Sequence, residues 1–205
     1  MPESVQWQLD YIHLVYGLGL MLVGVVCILL SRDSERQLPW PWLGAFAFSH
    51  GMHEWLDMLQ IVVGDNPALH VLHPLLLFAS FACLVEFGRV GLRATGLRMP
   101  GPWLHLALLL LAAPGALAGT EGLGASVRYA VALPGRVMAA LALFRAAHGA
   151  GHRHLQLAAV LLGFYAVFTG LVVPPAPFPP ADTINTDTFA AAFSFLGPVP
   201  APVPG

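Results

Sequence analysis

Four side chains able to bind a metal, a proton or an anion fall within eight residues of this chain: His50, His53, Glu54 and Asp57, with Ser49 just ahead of them. On a helix the spacing 50, 53/54, 57 returns to one face every turn, so the four project together. Arg128 and Arg136 lie in a second apolar run. If the two runs are antiparallel helices rising about 1.5 Å per residue, Arg136 falls level with His50 to Glu54 and Arg128 with Asp57. Direct pairs Glu54–Arg136 and Asp57–Arg128, or the same pairs exchanged, are therefore expected. Such a set can serve as a packing salt bridge, a proton relay or a polar pocket for a small ligand.

A second layer gathers imidazoles at similar depth. His13 begins the first apolar run, His70 and His73 open the third one turn apart, and Asp57 closes the second. Three imidazoles and a carboxylate suit a divalent metal. Two of the histidines could instead clamp a b-type haem, His13 with His73 better than His53 with His73, which helix rise separates by roughly 10 Å. The plain alternative is that they cap helix ends and hold no cofactor.

The remaining polar residues carry less chemistry. Glu86 is expected to answer Arg89 or Arg93, and His105 to sit at an interface. His148, His152 and His154 read as a solvated basic loop, because Gly149 and Gly151 argue against a helix there. Tyr16, Tyr129 and Tyr165 discriminate little. The sequence has no nucleotide-binding loop, nucleophile elbow, Cys-x-x-Cys or zinc-protease helix, and the absence of lysine rules out a retinal Schiff base.

These residues must be positioned by membrane helices. The chain of 205 residues is 57% apolar and 10% charged, with a mean hydropathy of +0.72, whereas soluble domains are roughly a quarter charged. Cys27 and Cys83 fall inside apolar runs and read as small buried side chains. Six runs approach the roughly 20 residues needed to cross about 30 Å of hydrocarbon. They are 11–30, 40–63, 69–87, 103–118, 125–147 and 155–173, with a kink expected at Pro134–Gly135. Seven of the nine arginines lie between these runs: Arg32 and Arg36, then Arg89, Arg93 and Arg98, then Arg145 and Arg153. Cytoplasmic loops hold positive charge this way, which places both termini on the outer side. Trp40, Trp42 and Trp103 would mark the inner interface and Trp7 the outer one. Glu3 and Asp10, with no basic residue before the first run, indicate a retained span rather than a signal peptide.

The fold class expected is all-α: a polytopic six-span bundle over residues 1–173, then a proline-rich extracytoplasmic tail over 174–205. Turns are expected at 64–68, with Asp65 and Pro67, and at 119–124. The tail holds a short apolar helix near 188–196 that Asp187 could cap, and its proline-spaced ending stops that helix.

Residues 38–59, LPWPWLGAFAFSHGMHEWLDML, with FASFACLVEFGR at 78–89, resemble the N-terminal multi-span membrane region of bacterial sensor histidine kinases and related PAS-containing signalling proteins. The match is carried by His50, Gly51, Glu54, Trp55 and Asp57, then by Glu86 to Arg89. Residues 182–189 are similar too. The resemblance implies a signal-input module passing a ligand, redox or membrane-state change to a cytoplasmic output. No transmitter histidine or ATP lid is present, so a non-enzymatic protein is expected. The alternative is an accessory or anchor subunit of a respiratory or photosynthetic membrane complex, with haem a possible cargo. A metal-dependent hydrolase would need the histidines and Asp57 to converge on an open coordination position. Expected partners are membrane lipid and other membrane subunits or further copies of the chain, with no nucleic acid. The expected location is the bacterial inner membrane, with both ends periplasmic.

Overall fold

The computed structural model describes residues 3–32, 38–64 and 66–193. Arg36, Asp65 and the ending from Gly197 to Gly205 lie outside these residues, as does the side chain of Trp7. The described chain is helical: α1 (Glu3–Ser31), α2 (Trp40–Val63), α3 (Pro67–Ala94), α4 (Trp103–Ala112), α5 (Gly119–Val127), α6 (Leu133–Gly149), α7 (Arg153–Leu171) and α8 (Thr186–Phe193). A 3-10 turn, Ala113–Ala118, joins α4 to α5, and a π-helical turn, Arg128–Ala132, joins α5 to α6.

Four segments are long and apolar enough to cross a membrane: Tyr11–Ser31, Pro67–Ala94, Trp103–Gly149 and Arg153–Leu171. The expected count of six is thus met only in part. Helix α2 is long enough at 24 residues; its polar set of Ser49, His50, His53, Glu54 and Asp57 lowers its apolarity. The 47-residue segment Trp103–Gly149 is not one rod. Helix α4 packs against the π turn, yet Leu108 and Ala130 would lie about 33 Å apart on a straight helix. The chain therefore doubles back through the 3-10 turn, helped by Gly119 at φ +77°. Residues 119–124, expected as a loop, form the first turns of α5.

Helices pack in the row α1–α2–α3–α6–α7, with the α4–α5 limb against α3 and the π turn. The core is built from Leu77, Phe81, Leu84, Val85 and Phe87 of α3, with Val127, Val131, Ala132 and Ala139 opposite them. Two close approaches set the spacing. A Cβ on Gly51 would come 2.9 Å from Gly17 O, and one on Gly88 would come 2.6 Å from Met138 Cβ. Small residues let apolar helices approach backbone to backbone where no hydrophobic force drives them together in lipid.

The expected kink takes the form of the π turn, in which the Leu133 N–H reaches back to Arg128 O. Pro134 has no N–H to donate, and widening the preceding turn absorbs the lost bond. Trp42 and Trp103 are exposed, but Trp40 is buried and packs against Phe87 at 6.3 Å. It is a core residue rather than an interface one, because it starts α2 on the inward face. The tail folds back on the bundle: Val173 bridges to Asn185, and Val173, Ala176 and Ala181 bury against Ala125. Asn185, not Asp187, caps α8. Its Oδ1 accepts from the N–H groups of Asp187 and Thr188 at 3.1 and 2.9 Å.

Candidate functional site

Helix α2 carries the site. Its face turns toward α1 and α3, so the i, i+3, i+4, i+7 spacing places His50, His53, Glu54 and Asp57 between them. His13 of α1 reaches Glu54, Nδ1 to Oε2 at 3.0 Å. His73 of α3 reaches Asp57, Nε2 to Oδ1 at 2.5 Å. His50 Nε2 and His53 Nδ1 lie 3.7 and 3.9 Å from Glu54 Oε1, and His53 Nδ1 lies 3.5 Å from Asp57 Oδ2. Four imidazoles thus surround two carboxylates.

The rings form a stack along α2: Phe46 on His50, His50 on His53, and His53 tilted on His73, with centroids 5.1, 5.4 and 4.2 Å apart. His50 is anchored by Ser80, Nδ1 to Oγ at 3.1 Å, while the Ser80 hydroxyl donates to Leu77 O at 2.8 Å. With that proton spent on Leu77, the Ser80 oxygen accepts, so His50 Nδ1 carries the hydrogen and Nε2 faces Glu54. His53 is 2% exposed, and neither ring nitrogen has a hydrogen-bond partner. A buried imidazole left this way forgoes about 1–3 kcal/mol.

The expected direct pairs with arginine are not formed. Among the described residues, each carboxylate is bonded by a histidine instead. Arg136 lies over Phe81 at 4.6 Å and near Tyr165 at 5.6 Å from the ring centres, with Nη1 buried and without a partner. Tyr165 hydrogen-bonds Tyr16 at 2.8 Å between the hydroxyls. Matching depth along two helices says nothing of the rotation about each axis, and the π turn between Arg128 and Arg136 changes that rotation by part of a turn. Arg128 faces a cavity of about 480 Å³ whose wall also holds Asp57, His73, His70 and Glu121.

Of the nine candidates, His13, His50, His53, Glu54, Asp57 and His73 converge. Arg128 borders them across the cavity, Arg136 stands apart on Phe81, and His70 is an exposed residue at the cavity wall. Two groups present donor atoms within 4.8 Å of one another: His53, Asp57 and His73, and His13, Glu54 and Asp57. The first keeps His73 and Asp57 of the expected metal set, takes His53, and leaves out both His13 and His70. For haem, the 4.2 Å between the His53 and His73 rings leaves no slot for a porphyrin between them, while His13 and His73, the better expected pair, are bonded to Glu54 and to Asp57.

Ser80 and Phe81 belong to the site but were not singled out from sequence, although both lie in the FASFACLVEFGR stretch. At the opposite end Glu86 takes Arg89 in a two-point bond of 2.7 and 2.5 Å, with His105 at 3.5 Å. His148, His152 and His154 are exposed there. Comparison with protein-family models, curated proteins and solved structures gives no match to this chain.

Proposed function

We propose that this chain is the membrane-embedded signal-input module of a bacterial inner-membrane protein. It crosses the bilayer six times, the reversal in Trp103–Gly149 supplying two of the crossings and α2 another. Its arginine-bearing turns face the cytoplasm, and the cavity beside Asp57 opens to the periplasmic side. The His–carboxylate cluster receives the signal, and α3, which bridges α2 to α6, carries its effect across the bundle.

One observation carries this reading: a buried His53 without hydrogen bonds, held between two carboxylates inside an apolar bundle. A plain anchor gains nothing from burying such a group, because intramembrane ionisable residues are costly and concentrate where a ligand or proton is handled.

The test is a chimera of the full chain followed by a further span and a kinase output domain. Glu54→Gln and His50→Ala should each shift its signalling output severalfold at unchanged membrane abundance. Output identical to that of the parent sinks the reading. Co-purification with a large complex, unchanged by Glu54→Gln, would favour the anchor-subunit alternative.

A further inference from the structure

We infer that His53, Asp57 and His73 form a binding site for one divalent transition-metal ion of the zinc class. This names the ligand of the proposed input site and rests on that reading only for which cluster receives the signal.

Donor chemistry, spacing and an orphaned group all point the same way. Two imidazoles and a carboxylate are a ligand set for zinc and its first-row neighbours, rather than for magnesium or calcium. Donors about 2.0–2.2 Å from a tetrahedral ion sit about 3.3–3.6 Å from one another. Here His53 Nδ1 is 3.5 Å from Asp57 Oδ2, and His73 Nε2 is 2.5 Å from Asp57 Oδ1. Separating His73 and Asp57 by about 1 Å makes room for the ion, which takes the place of the hydrogen between them. That proton leaves through the cavity on whose wall Asp57 and His73 lie.

The third observation is His53 itself. Both ring nitrogens are buried and without hydrogen bonds, while its ring lies against His73 and its Nδ1 faces Asp57. A metal ion at Nδ1 supplies one of the two partners this imidazole lacks. Asp57 also belongs to the group with His13 and Glu54, so one ion claims it. The set with two imidazoles and the orphan ring is the better one. Glu54, bonded by His13, lies 3.9 Å from the same His53 Nδ1 and adds negative charge beside the ion without bonding that nitrogen.

The experiment uses the full chain in lipid nanodiscs, stripped with a chelator and titrated with Zn²⁺ alone and with Co²⁺ alone. Saturable uptake of one ion per chain is expected, with the visible absorption of tetrahedral Co²⁺ bleached by Zn²⁺. His53→Ala, Asp57→Asn and His73→Gln should each weaken binding at least about tenfold, the loss that removal of even an outer partner produces. His148→Ala, at the other end of the bundle, should bind like the parent. Should His53→Ala fail to fold, the half-buried His73→Gln carries the test. Absence of saturable uptake overturns the site, as does uptake that survives all three substitutions, which would mark an adventitious ion. The two proposals fail separately. Triad-dependent binding with a chimera deaf to Glu54→Gln leaves the metal site and removes the signalling role. A responsive chimera on a chain that takes up no metal does the reverse.

Discussion

The guanidinium of Arg136 lies 4.6 Å over the ring of Phe81, with one terminal nitrogen buried and without a hydrogen bond. A cation–π contact contributes about 0.5–2 kcal/mol, less than the several kcal/mol it costs to desolvate an unpaired ion. Arg136→Met keeps the length and packing and removes the charge. It should retain or raise the thermal stability of the detergent-solubilised protein. A loss of more than about 1 kcal/mol would mean that Arg136 holds a partner of the kind first expected in Glu54.

Ser80 fixes His50 from the neighbouring helix, and its removal isolates a buried ring nitrogen. Ser80→Ala is expected to cost about 1–3 kcal/mol, the penalty for a buried donor left unsatisfied. Ser80→Thr, which retains the hydroxyl, separates the hydrogen bond from the packing. Thermal melts of the two variants check this: equal losses would assign the effect to volume alone.

Residue types and helical spacing already told much of this site. A repeat of 3.6 places His50, His53, Glu54 and Asp57 on one face whatever surrounds them, and helix rise sets His13 and His73 at their depth. Helix rotation was not legible. It decides that Glu54 meets His13 and that Arg136 meets Phe81, and for Arg136 it depends on a π turn just ahead of Pro134. The reversal in Trp103–Gly149 falls on residues 113–118, inside the run expected as a span and ahead of the turn expected at 119–124, since glycines at 119, 122 and 124 suggest a loop equally well as tightly packed helix. Helix rise sets His53 roughly 10 Å in depth from His73, yet their rings lie 4.2 Å apart, and the lack of partners at His53 is a property of the packed bundle.

At Gly88 α3 and α6 approach closely: an added Cβ would lie 2.8 Å from Met138 C and 2.9 Å from Ala139 N. Backbone cannot step aside as a flexible side chain can. Gly88→Ala should therefore cost about 1–3 kcal/mol by forcing the helices apart. Gly149→Ala, with nothing within 4 Å of the added carbon, should be neutral within about 0.5 kcal/mol. The pair is read in one thermal unfolding series, and equal effects would remove the claim that α3 and α6 are locked at this point.

The two ends of the bundle differ in charge, and that difference predicts a topology that reporters can test. At one end Arg145 reaches Thr95, Nε to Oγ1 at 3.2 Å, and Arg89 and Arg93 bond the carbonyl of Pro100. At the other end Gly64, Asn66, Thr120, Glu121 and Pro174 border one cavity. Moving arginines through the bilayer is costly, so the arginine end should stay in the cytoplasm. Sandwich fusions at Gly96 and Gly151 should give cytoplasmic fluorescence and no periplasmic phosphatase activity, whereas fusions at Asn66, Thr120 and Pro175 should do the opposite. A mixed result within the second set would leave α2 or the α4–α5 limb short of a full crossing. Opposite results throughout would place the cavity on the cytoplasmic side, and the ion or ligand would then have to arrive from within the cell.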